Sequence, residues 1–433
     1  MYKALSAPIT VQVEVSSRCP NRCVHCYNFW RKDNNFLTSS DLSIEEIGFI
    51  VRQLARHRVF HIVLTGGEPL MNKKALFSAL EIARENAMTV SVNSCLIPLT
   101  RNDAVTLKDM GVALVLTSIM APSAETHDRI AQRSGAFTKT LRGIRFLQEV
   151  NVPVSVNMVV TQENKGLVAE TARFVKSLGI PSFNSTRAGC PGNCSDFSNL
   201  SLTLADFREY LETLHMVGLE ENMRVDALES YPLCGIREVR RYDGLIGRRC
   251  SAGITTLTIA SDGSVRPCSH LDIGYGNLLH EDLADVWGKM SVWRTGSLLP
   301  RVCQTCPILP ACGGGCRMEA KMKNGSFDTP DPYVSERDRE YVLEQLVVGK
   351  SEEKEVLIPE RIRLNSKLRL RAEHFGGVAF LGTRRVYFLN RDGFVFLGQL
   401  RINEDYDVAS IVKSESQEKF LRGLIDRNIV SPV

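Results

Sequence analysis

The chain lacks a long apolar run, a large net charge and any low-complexity tract. No apolar segment approaches the roughly 20 residues that a membrane-spanning helix needs, and residues 1–15 carry no secretion signal. The net charge of +4 argues against a polybasic nucleic-acid binder. We therefore expect a cytoplasmic protein whose partner is neither a membrane nor a nucleic acid.

Cysteine, by contrast, is abundant. The 433 residues include 13 cysteines and are 44% hydrophobic, and this length suggests about two to three domains. In a chain without an export signal, so many cysteines favour metal ligation in a reducing compartment over a disulfide framework.

Apolar runs of strand length alternate with helical segments from residue 9 to about residue 186. The predicted strands are residues 9–15, 61–65, 88–93, 112–119, 152–160 and 180–185. The predicted helices are residues 44–57, 73–86, 102–110, 138–150 and 167–178. This alternation predicts βαβ units and a parallel sheet, which binds ligands at the carboxyl ends of its strands. Periodicity alone does not distinguish an open barrel from a doubly wound sheet.

Three cysteines follow the first predicted strand with the spacing Cys-x3-Cys-x2-Cys: Cys19, Cys23 and Cys26. Structural zinc usually has four protein ligands, and iron–sulfur clusters are normally held by four cysteines. Three thiolates are one ligand short of a closed site, so one iron of a four-iron cluster would stay open to chemistry. The alternatives are three packed thiols or part of a zinc site.

A glycine-rich turn, Gly66-Gly67-Glu68-Pro69, follows the second predicted strand. Glycines allow the backbone to approach a ligand closely, the glutamate adds a carboxylate, and the proline restricts the turn. Because carboxyl ends of neighbouring parallel strands lie together, we expect this turn and the cysteine loop to share one site.

These two features resemble the radical S-adenosylmethionine (radical SAM) enzymes. In that family the three cysteines hold the catalytic [4Fe–4S] cluster, whose open iron binds S-adenosylmethionine. An electron from the cluster then cleaves the cofactor to a 5′-deoxyadenosyl radical. The resemblance implies that Cys19, Cys23 and Cys26 form the catalytic site, and that Gly66, Gly67 and Glu68 bind the amino group of the cofactor.

The segment from residue 115 to residue 137 is similar to the fourth-strand region of these enzymes. The similarity implies cofactor contacts for Ser118 and Arg133, although Ile-Met-Ala follows Ser118 where Leu-Asp-Gly is usual. Asn157 fits the polar position that the family has in its fifth strand. The other interpretation of Asn157 is an ordinary hydrogen-bonded residue at a strand end.

A second block of cysteines has the pattern Cys-x12-Gly-x4-Cys, followed by Cys-x2-Cys-x5-Cys-x3-Cys. Its residues are Cys250, Gly263, Cys268, Cys303, Cys306, Cys312 and Cys316. The pattern resembles the SPASM domain, which holds auxiliary clusters in radical SAM enzymes that modify peptides and proteins. A zinc ribbon built from the close cysteine pairs is the competing interpretation, and it leaves Cys250 and Cys268 unexplained.

The interleaved ligation of the SPASM family implies two auxiliary iron–sulfur clusters, expected to be [4Fe–4S]. The first group is Cys250, Cys268 and Cys316, with Cys234 as candidate fourth ligand. The second group is Cys303, Cys306 and Cys312. Val334 stands where the family has its last cysteine, so the second cluster needs Asp328 or Asp331 as a substitute, or keeps an open iron.

Three cysteines fall outside these groups. Cys190 and Cys194 follow the sixth predicted strand, and they are either substrate-facing residues or ordinary loop thiols. Cys95 is interpreted as a packing residue.

Residues 335–358 are charged and predict a helix followed by a linker. Strand-like runs then cover residues 361–371, 377–381 and 386–389, and helical runs cover residues 392–400 and 419–428. Residues 370–377 and 385–393 resemble the PqqD-like domain, a small winged-helix fold that binds the leader of a precursor peptide as an added strand. Residues 361–401 hold nine Lys and Arg against two Asp and Glu, a net charge of +7. A DNA-binding winged helix and a solvated basic face are the alternatives.

Taken together, the resemblance implies an α/β fold in four parts. These are a partial (β/α)6 barrel over residues 1–230, a small cysteine-rich SPASM domain over 231–334, a helix and linker over 335–358, and a winged-helix-like α+β domain over 359–433.

The function implied is a maturase that abstracts hydrogen from a ribosomally made precursor peptide. The product, a thioether, a carbon–carbon crosslink, an epimer or a backbone excision, stays open. Partners would be the precursor with its leader and an electron donor such as flavodoxin or ferredoxin. The alternatives are a maturase of a folded protein, similar to sulfatase-activating enzymes, and a non-enzymatic iron–sulfur or zinc-containing regulator.

Overall fold

The computed structural model describes residues 3–28, 41–190, 197–348, 357–383 and 385–433. Contacts divide the chain into two compact units, Met1–Gly349 and Lys350–Val433. No helix in the described ranges is both long and apolar enough to cross a membrane.

The first unit is built on a ten-stranded sheet with the order β10-β9-β8-β1-β2-β3-β4-β5-β6-β7. Its strands are β1 Thr10–Ser16, β2 His61–Gly66, β3 Thr89–Asn93, β4 Leu114–Ser118, β5 Val154–Val160, β6 Ser182–Arg187, β7 Arg224–Ala227, β8 Thr256–Ile259, β9 Ser264–Arg266 and β10 Gly276–Asn277. Neighbours from β1 to β7 are parallel and follow the order of the chain. The predicted parallel sheet is therefore confirmed.

Helices connect these strands and cover the sheet. They are α1 Ile44–Arg56, α2 Lys73–Glu85, α3 Arg101–Asp109, α4 Ala124–Ala131, α5 Ala136–Glu149, α6 Val168–Ser177 and α7 Leu204–Glu220. Helix α1 begins at a capping box of Ser43 and Glu46, and its apolar side chains Ile47, Ile50 and Leu54 are buried. The five predicted helices coincide with α1, α2, α3, α5 and α6.

Two parallel strands were not predicted from the sequence. β7 extends the sheet beyond β6, and β8 pairs in parallel with β1 on the opposite side. Each has only four residues, and β7 reads Arg-Val-Asp-Ala, so neither carries a periodic signal of its own. The hairpin between β8 and β9 turns at Gly263, which has a φ of 80°.

Short helices follow the hairpin and carry the cysteine-rich segment. They are α8 Leu283–Lys289, α9 Val292–Thr295, α10 Arg301–Gln304, α11 Leu309–Cys312, α12 Arg317–Asn324 and α13 Glu336–Val348. The helix predicted after residue 335 is α13. Most of the predicted linker lies outside the described residues.

The second unit contains two antiparallel sheets of three strands, in the orders β15-β11-β16 and β12-β13-β14. The strands are β11 Arg361–Leu364, β12 Leu368–Glu373, β13 Gly376–Leu381, β14 Arg385–Leu389, β15 Asp405–Asp407 and β16 Val430–Pro432. The helices are α14 Arg391–Gly398, α15 Val408–Ile411 and α16 Glu415–Asp426. Ile362, Leu397 and Leu421 lie at the centre of its core.

One expectation for this unit was wrong. The run over residues 361–371 is not one strand, because a turn in which the Leu368 N–H donates to Asn365 at 2.9 Å divides it. The two halves, β11 and β12, belong to different sheets. Alternation of side chains continues across the turn, so the pattern alone did not reveal the break.

Candidate cofactor and cluster site

One cavity in the first unit lies at the carboxyl ends of β1 to β5 and has a volume of about 210 Å³. Its lining includes Cys19, Cys23, Cys26, Gly66, Gly67, Ser118 and Asn157. The structure thus brings together the predicted catalytic cysteines and most of the predicted cofactor residues. Glu68 and Arg133 do not line this cavity.

The glycine turn packs against the beginning of the cysteine loop. The Gly67 N–H donates to the Ser16 carbonyl, and the Glu68 N–H donates to the Arg18 carbonyl, each at 2.7 Å. A Cβ on Gly66, whose φ is 136°, would overlap the Ser16 carbonyl oxygen, and one on Gly67 would overlap the backbone of the same segment. The glycines are therefore required by contact with the chain itself.

Glu68 ties this turn to the end of β3. Its buried carboxylate accepts hydrogen bonds from the Ser94 hydroxyl and the Cys95 N–H, both at 2.7 Å, and from the Leu70 N–H at 3.0 Å. Burial raises the pKa of Glu68, and the hydrogen bonds from Cys95 and Ser94 act in the opposite direction. These hydrogen bonds hold the turn in place, and a cofactor contact of this carboxylate stays a prediction.

Cys95 has a larger part than the sequence suggested. It packs against Ile97, Ala131 and Ala136, as a packing residue should. The same side chain also lines the cavity. Burial raises the pKa of the Cys95 thiol, and its interaction with Cys19 adds to the effect.

Arg133 also holds the cysteine loop. Its Nη1 donates to the Pro20 carbonyl at 2.8 Å. The Arg22 and Val24 N–H groups donate to carbonyls at the end of α4, each at 3.0 Å. The sequence places Arg133 on the cofactor, whereas here it fixes the loop that carries the cysteines.

Three further residues of the cavity wall were missed: His25, Asn28 and His127. Asn28 donates from Nδ2 to the Gly66 carbonyl at 3.0 Å, and His127 Nδ1 accepts from the Met120 N–H at 3.2 Å. Burial lowers the pKa of each imidazole to about 4, so both are neutral at neutral pH. The position of His25 and Asn28 within two residues of Cys26 was the available signal.

The cavity wall carries polar atoms that no described group satisfies. Asn28 Oδ1 and His25 Nδ1 are buried and have no hydrogen-bond partner among the described residues. Buried polar atoms without a partner are costly and call for a functional explanation, such as a catalytic role or a bound group. Together with three thiols on one loop, they fit a cluster that binds a polar cofactor.

A second cavity belongs to the cysteine-rich segment. It is lined by Cys234, Cys303, Cys306, Cys312 and Val334, among others. Cys234 therefore lies with the cysteines of the second auxiliary group, although the sequence offered it as candidate fourth ligand of the first. No three His, Cys, Asp or Glu side chains of the described ranges stand close enough together to hold a single metal ion. These thiols therefore line one cavity but do not converge on a single position.

Neither expected aspartate substitute lines this cavity. Asp331 accepts from the Cys316 N–H at 2.8 Å and from Arg187 Nη2 at 3.2 Å. Asp328 accepts a hydrogen bond from the Ser326 hydroxyl. Both carboxylates are used elsewhere.

The cysteines of the first auxiliary group influence one another electrostatically. Burial raises the pKa of Cys268 to about 12, with the neighbouring Cys250 thiol adding to the effect. Burial, Glu229 and the Cys250 thiol raise the pKa of Cys316. The Cys250 thiol thus acts electrostatically on both of the other cysteines. The Cys190 N–H donates to Glu319 at 2.9 Å, and Cys194 lies outside the described residues.

Comparison with known families agrees with this arrangement. Residues 13–175 match the radical SAM superfamily, and residues 250–307 match SPASM, the iron–sulfur cluster-binding domain. The protein is a radical SAM enzyme that uses S-adenosylmethionine and a [4Fe–4S] cluster, and its SPASM domain binds auxiliary iron–sulfur clusters.

Similar proteins differ in their substrates. The chain is 24% identical over 353 residues to the AdoMet-dependent heme synthase of Methanosarcina barkeri, which covers 77% of this chain and 98% of that one. It is 23% identical over 336 residues to the PqqA peptide cyclase of Rhodopseudomonas palustris, covering 75% and 86%. The crystal structure of Streptococcus suis SuiB bound to precursor peptide SuiA matches with a TM-score of 0.62 and 18% identity, covering 75% of each chain.

Proposed function

We propose that this enzyme modifies a ribosomally made precursor peptide and that its second unit binds the leader of that peptide. The observation that carries the proposal is the separate α+β unit, 350–433. The match to the heme synthase uses 98% of that protein but 77% of this chain. About a quarter of this chain thus has no counterpart there, and the second unit is nearly that size. The similarity to the PqqA peptide cyclase and to peptide-bound SuiB supports a peptide substrate.

The first unit prepares the chemistry. When bound, the catalytic cluster and S-adenosylmethionine supply a 5′-deoxyadenosyl radical, which abstracts a hydrogen atom from the substrate. Cys19, Cys23 and Cys26 would hold the cluster, on a loop fixed by Arg133. Ser118 and Asn157 on the cavity wall would orient the cofactor, and Asn157 is itself held by the Thr186 hydroxyl at 2.9 Å.

The position of the leader follows from which strands have an unpaired edge. β11 pairs with β15 on one side and β16 on the other, so it cannot accept another strand. β15 and β16 have three residues each, and β16 ends at Pro432, which makes both poor templates. The outer strands of the other sheet, β12 and β14, are longer, and among the described residues each pairs with β13 alone.

We assign the leader to β14. An edge strand offers N–H and C=O groups that an extended peptide can satisfy. Phe388 on β14 is 39% exposed and Val395 on the adjoining helix α14 is 55% exposed. These two apolar side chains would contact the apolar side chains of the added strand.

The basic charge of this unit contributes less than the sequence count suggests. Arg361 and Arg363 pair with Asp405, and Arg371 pairs with Glu373. Residues 357–433 hold 13 Lys and Arg against nine Asp and Glu, a net charge of +4. We therefore expect an acidic leader to bind with only moderate sensitivity to salt.

Binding of the leader peptide to full-length protein and to a variant without residues 359–433 tests the proposal. Deletion should abolish leader binding and weaken modification of the precursor, while cleavage of S-adenosylmethionine without substrate continues. Phe388→Asp should weaken leader binding at least tenfold. Ile402→Asp is the matched control, because Ile402 is a similarly exposed apolar residue, 42% exposed, on a loop of the same unit. Equal affinity of the full-length and truncated proteins would refute leader recognition, and tight binding to duplex DNA would favour a winged-helix regulator.

A second candidate is a reaction on an iron porphyrin, because the first relatives found are named heme synthases. The test is formation of heme by the anaerobic enzyme from an iron porphyrin precursor such as Fe-coproporphyrin III. Turnover of the porphyrin with no modification of any candidate peptide would replace the peptide proposal.

A further inference from the structure

The family's last SPASM cysteine is a valine in this chain, so the second auxiliary group has three cysteines from one segment: Cys303, Cys306 and Cys312. An iron–sulfur cluster is normally held by four cysteines. Val334 lines the same cavity as these three, but its side chain has no atom that binds iron. Either one iron of this cluster stays open, or a fourth ligand comes from elsewhere in the chain.

The single helical turn Leu233–Gly235 also contributes to this cavity, although it lies far earlier in the chain than Cys303. A Cβ on Gly235 would overlap the Tyr333 carbonyl oxygen, so only a glycine allows the turn to lie against residues 333–334. The Leu233 N–H donates to Cys312 Sγ at 3.3 Å. Cys234, the middle residue of the turn, lines the cavity with Cys303, Cys306 and Cys312.

The turn is also fixed from outside. Arg208 on α7 donates from Nε to the Gly235 carbonyl at 2.8 Å. The same guanidinium pairs with Asp338 on α13 at 2.6 Å, four residues after Val334. Arg208 therefore fastens the turn that carries Cys234 to the segment where the usual cysteine is missing.

We propose that Cys234 is the fourth ligand of the second auxiliary cluster and takes the place that a cysteine at position 334 has in the SPASM pattern. The cluster is then held by Cys234, Cys303, Cys306 and Cys312. The first auxiliary group keeps Cys250, Cys268 and Cys316. This assignment concerns the cluster alone and does not depend on the substrate.

A set of four variants tests the assignment by iron and sulfide content and by electron paramagnetic resonance of the anaerobic protein. Cys234→Ala should lose at least about one iron, which would leave a three-iron cluster. At most it should lose about four irons, which is the whole cluster. Adding Val334→Cys to Cys234→Ala should restore the wild-type content and spectrum. Val334→Cys alone should change neither, because four thiolates are already present. Cys268→Ala, in the other group, should lose iron that Val334→Cys does not restore.

A measurement on the wild-type protein does not depend on how the variants fold. Cys234 should resist alkylation in the iron-loaded protein as strongly as Cys303 does, and both should react once a chelator has removed the iron. Alkylation of Cys234 in fully loaded protein, or a wild-type spectrum in Cys234→Ala, would overturn the proposal. One zinc per chain that Cys234→Ala loses would also overturn it and would make these four thiols a zinc site.

Discussion

Glu14 and Arg266 form a buried ion pair in which Arg266 Nη2 lies 2.6 Å from Glu14 Oε1. The pair joins β1, which leads to the catalytic cysteines, to β9, which lies between Cys250 and Cys268. Their side chains are 1% and 4% exposed. Burial raises the pKa of Glu14 to about 7, although Arg266 acts in the opposite direction. This buried ion pair thus connects the segment before Cys19 with the segment between Cys250 and Cys268. Each of its two charges is buried and needs the other as a partner.

Removing Glu14 and removing Arg266 should lower the stability of the protein by different amounts. Glu14→Gln leaves a buried guanidinium that cannot lose its proton and should destabilise the protein by about 3–5 kcal/mol. Arg266→Met should cost less, because Glu14 can take up a proton. Urea denaturation midpoints of the anaerobic protein would show the order. Arg129→Gln, which removes the exposed pair with Glu163, is the control and should have little effect. The reverse order of the two buried variants would contradict this argument.

Cys23→Ala should abolish formation of 5′-deoxyadenosine, because the catalytic cluster loses one of its three protein ligands. Cys306→Ala is the matched control, since the same change in the second auxiliary group should leave cleavage of S-adenosylmethionine without substrate intact. Chromatographic measurement of 5′-deoxyadenosine after anaerobic reduction distinguishes the two. Wild-type cleavage by Cys23→Ala would show that the reaction occurs at another site.

Glu68→Gln should reduce both stability and cofactor affinity. Three donors point at the two oxygens of Glu68, and the amide nitrogen of glutamine cannot accept, so at least one buried donor loses its acceptor. We expect a loss of about 1–3 kcal/mol, measured by urea denaturation, together with weaker binding of S-adenosylmethionine. Ser118→Ala should weaken binding without the loss of stability. A Glu68→Gln variant of unchanged stability that fails to bind the cofactor would indicate direct contact between the carboxylate and S-adenosylmethionine.

The anaerobic protein should contain about 12 irons per chain if each of the three cysteine groups holds a four-iron cluster. Iron and acid-labile sulfide analysis of the reconstituted protein provides the number. About four irons per chain, accompanied by stoichiometric zinc, would show that the cysteine-rich segment binds zinc and not clusters.

The sequence by itself determined the parts of this protein whose signals are local. The alternation of apolar runs identified the six strands β1 to β6, because each strand and helix has its own period. The spacing of Cys19, Cys23 and Cys26 predicted one group of cysteines and that of Cys303, Cys306 and Cys312 another, and the members of each group line one cavity. In each case residues a few positions apart carry the information.

Only the tertiary structure decided which distant residues meet. Cys234 precedes Cys303 by 69 residues, and packing of Gly235 against Tyr333 places it in the second group. Glu68 is conspicuous in the sequence, but its carboxylate accepts hydrogen bonds from Ser94 and Cys95 at the end of β3 and does not line the cavity. Residues 361–371 read as one strand, yet their first part, β11, lies between β15 and β16 in a sheet of its own. Spacing within a motif does not specify long-range contacts of this kind, because they depend on how complete elements pack.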